Sequence, residues 1–267
     1  MVIEMMESVS DAIKSPWHMI LFGAVVSLVS LGVAYVIFPE NIGLVTVFLI
    51  SLISAPFMLQ LFKYDEWHEE KDLRDLRGFW EKFGPGNVVA RQAKILLIYA
   101  SLFVGMTAAL STAFWLLPES VAEKAFNDQT SQIEKISLTV GSFVSPGIFE
   151  KILLNNLVVL SVSFFFALLL GFGALFVISW NASVLAAAVG TVGKVSGAHI
   201  ALATFLPHGV FEIAGYLMAA IAGGIISVAV MKRHNRLLGP ILRDMCLFLV
   251  LAVGLIVVGA GIESTAV

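Results

Sequence analysis

Polar and ionisable side chains interrupt the long apolar stretches in the second half of this sequence. The set comprises Asn155, Asn156, Lys194, His199, His208, Glu212 and Tyr216. Within a lipid bilayer such groups are costly unless they are paired, and they commonly mark ion paths, proton relays or ligand sites. We therefore expect either the function of the protein, or a hydrogen-bond network that stabilises its fold, at these residues.

Their spacing predicts one cluster rather than scattered sites. His208 and Glu212 are four residues apart, so they share a helix face, and Tyr216 follows one turn later. We expect the chain to turn at Pro207, between two membrane spans. With a rise of about 1.5 Å per residue, Glu212, His199 and the two adjacent asparagines then lie at similar depths, in the outer half of the membrane.

Three hypotheses for this cluster stay open. In the first, Glu212 and the asparagine amides satisfy backbone groups that are freed at a joint formed by Pro207-His208-Gly209. In the second, Lys194, placed deeper and near mid-membrane, forms an ion or proton path with His199, His208 and Glu212. In the third, His199, His208 and Glu212 bind zinc, since hydrolytic zinc sites use two histidines and a glutamate.

Motifs of known hydrolases are missing from the sequence. It contains no HExxH zinc-protease motif, no GxSxG nucleophile elbow and no pair of intramembrane aspartates. We therefore assign no catalytic residue, expect no cofactor and no bound metal ion, and rank an enzyme below a non-enzymatic role.

The elements that must position these residues are membrane helices. Reading apolar runs of about 20 residues as spans predicts seven of them. They lie at 18–38, 42–62, 94–117, 152–180, 183–206, 208–231 and 245–262. The fold class predicted is therefore all-α, a polytopic integral membrane protein in the cell membrane.

The distribution of cationic residues predicts the orientation. If the N-terminus is cytoplasmic, alternate threading places 12 of the 16 Lys and Arg residues on the inner side. They comprise Lys14, the seven from Lys63 to Lys94, and Lys232, Arg233, Arg236 and Arg243. This asymmetry follows the positive-inside rule and puts the C-terminus outside.

Composition excludes several other classes of protein. With 59% hydrophobic and only 13% charged residues, a soluble domain of 267 residues is excluded. The single cysteine, Cys246, excludes an intramolecular disulfide framework. No basic stripe with interleaved aromatics is present, so we expect no nucleic-acid partner. The lipid bilayer is the partner that composition implies.

Three segments are predicted. Residues 1–62 form a transmembrane hairpin, and 63–93 form a charged cytoplasmic connector. The connector carries an amphipathic helix that ends at Gly84-Pro85-Gly86; it either lies on the headgroups or docks a partner or a second protomer. Residues 94–267 form the membrane core, with an external lid at 118–151.

Two further features predict helix packing. Gly215, Ala219 and Gly223 form a small-residue stripe on span six, which allows close approach of a neighbouring helix, within the protomer or in a homo-oligomer. Asn181 is predicted to cap the entry to span five.

The order of several motifs resembles a known family. The motifs are Asn155-Asn156, the run from Gly171 to Phe176, Trp180-Asn181-Ala182-Ser183, Pro207-His208-Gly209 with Glu212, and the run from Ala219 to Ala229. Together they resemble the stage II sporulation protein M family, archaeal members especially, most densely over 95–262. The resemblance carries over to Asn156, Asn181, His208, Gly209 and Glu212 and leaves Lys194 outside the motif set.

The resemblance implies a membrane component of an envelope complex that is not itself a hydrolase. We therefore predict a non-enzymatic scaffold or recruitment protein, with a small ion- or proton-coupled permease as the alternative. An intramembrane metal-dependent hydrolase is the third hypothesis. Partners are expected through span six or the connector at 63–91.

Overall fold

The fold is built from helices alone in the residues that a computed structural model describes, which are 15, 17–74, 85–141, 147–171, 174–231 and 238–266. The helices there are α1 (Trp17–Ile37), α2 (Ile42–Arg74), α3 (Pro85–Leu116), α4 (Glu119–Ala125), α5 (Asn127–Gly141), α6 (Ile148–Leu170), α7 (Ala174–Ser196), α8 (Ala198–Met231) and α9 (Leu238–Ala266).

Seven of these helices are long and apolar enough to cross a membrane. The shortest such segment, Ile42–Leu61, has 20 residues, which at about 1.5 Å per residue is enough for the hydrocarbon core. The prediction of an all-α polytopic fold with about seven membrane helices is confirmed. The connector begins as an extension of α2 as far as Arg74, while its residues 75–84 lie outside the described ranges.

The boundaries predicted for spans four, five and six are wrong. Span four ends at Leu170, not at 180, and α7 occupies Ala174–Ser196 instead of 183–206. The chain leaves α6 at Gly171 and leaves α7 at Gly197, both with positive φ (70° and 90°). Glycine adopts this conformation without the steric cost of a Cβ. These two turns contain no polar loop, so hydropathy does not reveal them.

Three local predictions fail with those boundaries. Pro207 does not form a joint between spans; it lies inside α8, which runs unbroken from Ala198 to Met231. Proline is tolerated within membrane helices when neighbouring groups satisfy the freed carbonyl. Asn181 does not cap a helix either, because it lies inside α7 and donates its Nδ2 hydrogen to the Val177 carbonyl (2.7 Å). Lys194 falls in the last turn of an uninterrupted α7, away from mid-membrane.

Helix α8 is the central element of the fold. Residues 215–229 are all buried, and the small-residue stripe is used within the protomer. A Cβ at Gly223 would meet the Phe164 carbonyl oxygen of α6, and one at Gly215 would lie 3.0 Å from the Ala252 carbonyl oxygen of α9. Helices α6 and α9 therefore pack on α8 almost backbone to backbone.

The N-terminal hairpin packs onto the same core. At the crossing of α1 and α3, a Cβ at Gly23 would lie 2.6 Å from the Leu102 carbonyl oxygen, and one at Gly105 would meet the Ile20 carbonyl oxygen. Tyr99 and other large side chains of α3 are buried in the core. The hairpin and the remaining spans share one hydrophobic core.

The segment predicted as a lid contains the short helices α4 and α5. Phe126, between them, is buried and packs edge-on against Phe114 of α3 (ring centroids 5.2 Å apart). Gln129 donates from Nε2 to the Ser183 hydroxyl of α7 (3.1 Å). Asp128 accepts a hydrogen bond at Oδ2 from the Leu44 amide (3.1 Å), in the first turn of α2. The two helices are thus fixed to α2, α3 and α7, and their position outside the cell stays a prediction.

The Asp128 contact predicts a measurable loss of stability. Asp128→Ala should lower the free energy of unfolding by about 1 kcal/mol because a first-turn N–H of α2 loses its acceptor. Asp128→Asn keeps an acceptor oxygen and should cost less. The midpoint of thermal unfolding in detergent measures both. Glu123→Ala, at an exposed acidic residue of α4, is the control, and equal shifts for the two alanine variants would refute the capping role.

Candidate functional site

A buried hydrogen-bonded chain joins α6 to α8. Asn156 of α6 donates from Nδ2 to Oε1 of Glu212 (2.6 Å). Its Oδ1 accepts from the hydroxyl of Tyr216, one turn beyond Glu212 on α8 (2.8 Å). Asn156 and Tyr216 are each 5% exposed. The amide therefore uses both of its ends inside the protein, which fixes its orientation and that of the carboxylate.

A second carboxylate comes from the opposite side, on α9. A ligand atom of each of His208, Glu212 and Glu263 lies within 4.8 Å of the other two. We call His208, Glu212 and Glu263 the polar triad. Sequence reasoning missed Glu263 because the last span was predicted to end at 262. The available signal was an acidic residue that continues the final apolar helix.

A glycine makes room for the triad. A Cβ added at Gly259 of α9 would lie 2.7 Å from Cγ of Glu212 and 3.3 Å from the His208 carbonyl oxygen. The close approach of α9 to α8 at this point requires a residue without a side chain. Glu263 follows Gly259 by four residues, so it lies one turn along the same face of α9.

One polar atom of the triad has no partner. Nδ1 of His208 is buried and makes no hydrogen bond, in the part of the chain that the structure describes. Buried side-chain polar atoms in folded proteins are nearly always hydrogen-bonded or bound to an ion or water. His208 is only partly buried as a whole, so the triad lies at the border between the packed core and its surroundings.

The other predicted cluster members lie at the edge or elsewhere. Asn155 is exposed, and its Nδ2 is 3.4 Å from Oδ1 of Asn156. His199 is exposed and lies nine residues before His208 on the same helix, about 13 Å along the axis. The proposed zinc set of His199, His208 and Glu212 is therefore not assembled.

Lys194 is also separated from the triad. It is exposed, and its Nζ lies 4.8 Å from the centroid of the Phe114 ring, a cation–π contact. The predicted path that linked Lys194 and His199 to Glu212 does not form in this arrangement. The triad with Asn156 and Tyr216 remains, and its chemistry suits holding a cation or a proton.

A polar groove lies between the α1–α2 turn and the α4–α5 pair. It has a volume of about 410 Å³. Its lining residues are Pro39, Glu40, Ile42, Ser120, Glu123, Lys124, Asn127 and Asp128. Three carboxylates face one ammonium group there, so the groove favours a cationic group on whatever enters it.

Comparison with known proteins identifies the family. The family model described as Stage II sporulation protein M matches residues 94–266, which is more than half of the chain and includes Asn156 and the whole polar triad. Helices α1 and α2 and the first residues of α3 precede the match. No curated protein and no solved structure matches the chain significantly. On the family match, this chain belongs to the stage II sporulation protein M family and is a multi-pass membrane protein.

Proposed function

We propose that the protein is a non-enzymatic component of a cell-envelope complex, which it serves as a scaffold or recruitment factor in the cell membrane. The observation that carries this proposal is the packing of α8. Residues 215–229 are buried throughout, and at Gly223 the backbone of α6 leaves no room for a methyl group. A central helix enclosed in this way suits a rigid core that holds the surrounding helices in fixed positions.

The orientation that we propose puts both polar features on the outer side. Seven spans place the two ends of the chain on opposite sides of a membrane, and the Lys and Arg distribution favours a cytoplasmic N-terminus. The groove then opens outward, and the polar triad lies near the outer end of α9. This orientation is a proposal that cysteine labelling at either end of the chain would test.

The groove is the surface that we propose for a partner. Glu40, Glu123 and Asp128 outnumber Lys124 there, so a segment with a Lys or Arg side chain is complementary to it. Contact with a partner through α8, the predicted span six, is less favoured, because Gly215, Ala219 and Gly223 are covered within the protomer. The connector at 63–91 remains a further proposed contact, and residues 75–84 of it lie outside the described chain.

Site-specific photo-crosslinking tests the scaffold role. A photoreactive residue at Glu123, in the groove, should give one discrete adduct in the native membrane, whose partner mass spectrometry identifies. The matched control is Val158, which is 61% exposed on an apolar face of α6. We expect no discrete protein adduct from Val158. Equal adducts from both positions, or none from Glu123, would overturn the proposal.

The second candidate function is a proton- or ion-coupled permease, which the polar triad beside the central helix favours. Proteoliposomes with an entrapped pH dye separate the two functions. A scaffold should show no proton flux beyond that of protein-free liposomes after an acid pulse. A permease should show flux that Glu212→Gln abolishes, because the amide cannot carry the proton. Flux of that kind would replace the scaffold proposal.

A further inference from the structure

We propose that His208, Glu212 and Glu263 bind a divalent transition-metal ion of the Zn²⁺ or Mn²⁺ class. The site is separate from the groove and does not depend on the proposed scaffold role. One nitrogen and two carboxylate oxygens already lie within 4.8 Å of one another. Around a zinc ion, ligand atoms are about 3.4 Å apart, given metal–ligand distances of about 2.1 Å in tetrahedral geometry. Small side-chain rotations close the remaining distance.

The donor set favours a transition metal over a hard cation. Carboxylate oxygens suit Mg²⁺, Ca²⁺ and Mn²⁺, whereas imidazole nitrogen suits zinc, so a set with both kinds of ligand favours Zn²⁺ first and Mn²⁺ among the ions that prefer carboxylates. The triad offers one imidazole and two carboxylates, a mixed set that leaves at least one coordination position for water or another ligand. The unpartnered Nδ1 of His208 shows that the imidazole still has a buried polar atom to satisfy.

A cation would stabilise the adjacent carboxylates of Glu212 and Glu263. A carboxylate oxygen of Glu212 and one of Glu263 lie within 4.8 Å of each other, and two like charges that close are stable only with a proton or a positive ion between them. The apolar surroundings of α8 and α9 strengthen that repulsion, because the local dielectric constant is low. A divalent ion neutralises both charges at once.

The surroundings hold Glu212 in a ligating position. Asn156 donates to its Oε1 at 2.6 Å, which leaves the other oxygen for an ion. Tyr216 fixes the amide in turn (2.8 Å), and Gly259 leaves the space that the carboxylate arm occupies. Metal sites commonly have such outer partners, which orient the ligands and raise affinity. Asn156 and Tyr216 are thus positioning residues.

Calorimetric titration of the full-length protein in detergent tests the site. After removal of metals with a chelator, ZnCl₂ and MnCl₂ are titrated separately, and one ion should bind per chain. His208→Ala and Glu263→Gln should each weaken binding at least about 100-fold, at or beyond the upper end of the range for loss of an outer partner. His199→Ala is the matched control, an exposed histidine on the same helix, and should bind as the wild type does.

Thermal unfolding gives a second, independent measurement. Zinc should raise the unfolding temperature of the wild type and of His199→Ala but not that of Glu263→Gln. If His208→Ala does not fold, His208→Gln replaces it. No one-to-one binding by the wild type would overturn the site, as would binding retained in the His208 or Glu263 variants. Tighter binding of Mg²⁺ or Ca²⁺ than of Zn²⁺ and Mn²⁺ would overturn the assignment of the metal class.

Discussion

Gly223→Leu is expected to abolish folding, or to leave a protein that aggregates on extraction from the membrane. A Cβ at this position meets the Phe164 carbonyl oxygen, with Cβ of Ala167 at 2.9 Å and the Leu168 amide nitrogen at 3.0 Å. Two of these atoms belong to the backbone of α6, which cannot rotate away. Overpacking a tightly packed core costs about 1–3 kcal/mol per site, and separating α6 from α8 would also break the Asn156–Glu212 contact.

A glycine pair on α8 separates crowding from helix propensity. Gly223→Ala should still lower the unfolding temperature, because even one methyl group clashes with the backbone of α6. Gly209→Ala is the matched control, since nothing lies within 4 Å of a Cβ at that position. Alanine favours helix over glycine by about 1 kcal/mol, so Gly209→Ala should be neutral or stabilising. A similar loss in both variants would show that the α6–α8 crossing is not the cause.

The membrane spans could be predicted because lipid imposes one strong requirement. A backbone in hydrocarbon must satisfy its own hydrogen bonds, so only long apolar helices occur, and each of the seven predicted runs corresponds to a helix. The turns at Gly171 and Gly197 could not be predicted by the same argument. Neither Gly171-Phe172-Gly173 nor the single residue Gly197 is a polar loop in the sequence, and Pro207, the most visible helix breaker, lies inside a continuous helix.

The candidate site was predictable only in part, because the turn at Gly197 was not predicted. Asn156 and Glu212 were expected at one depth, and they meet because α6 and α8 run side by side in the same direction, as the contacts at Glu212 and Gly223 show. His199 was expected beside them because the turn was placed at Pro207. With the turn at Gly197, His199 and His208 share one helix and are separated along its axis.

The contribution of Glu263 to the site could not be predicted from hydropathy. Its meeting with Glu212 is set by the register of α9 against α8, and that register follows from the close contact at Gly259. A small residue on each of two antiparallel helices permits close approach, but the sequence does not say which small residue faces which helix.

Asn156→Leu is expected to be the most damaging change in the polar site. It removes the donor to Glu212 and the acceptor of the Tyr216 hydroxyl together. An unsatisfied buried group costs about 1–3 kcal/mol, and more when it is charged, so the free energy of unfolding should fall by about 3 kcal/mol or more. Asn155→Leu is the matched control, because its side chain is exposed on α6 and leaves the Tyr216–Asn156 bond intact.

A double-mutant cycle shows whether the loss comes from an unpaired carboxylate. Replacing both partners of a buried polar pair with apolar groups can be nearly neutral, whereas replacing one leaves the other unsatisfied. Asn156→Leu with Glu212→Leu should therefore cost less than the sum of the two single changes, by at least about 1 kcal/mol. Unfolding in detergent measured for all four proteins gives this interaction energy. Additive losses would mean that Asn156 and Glu212 stabilise the fold independently, through packing and not through their hydrogen bond.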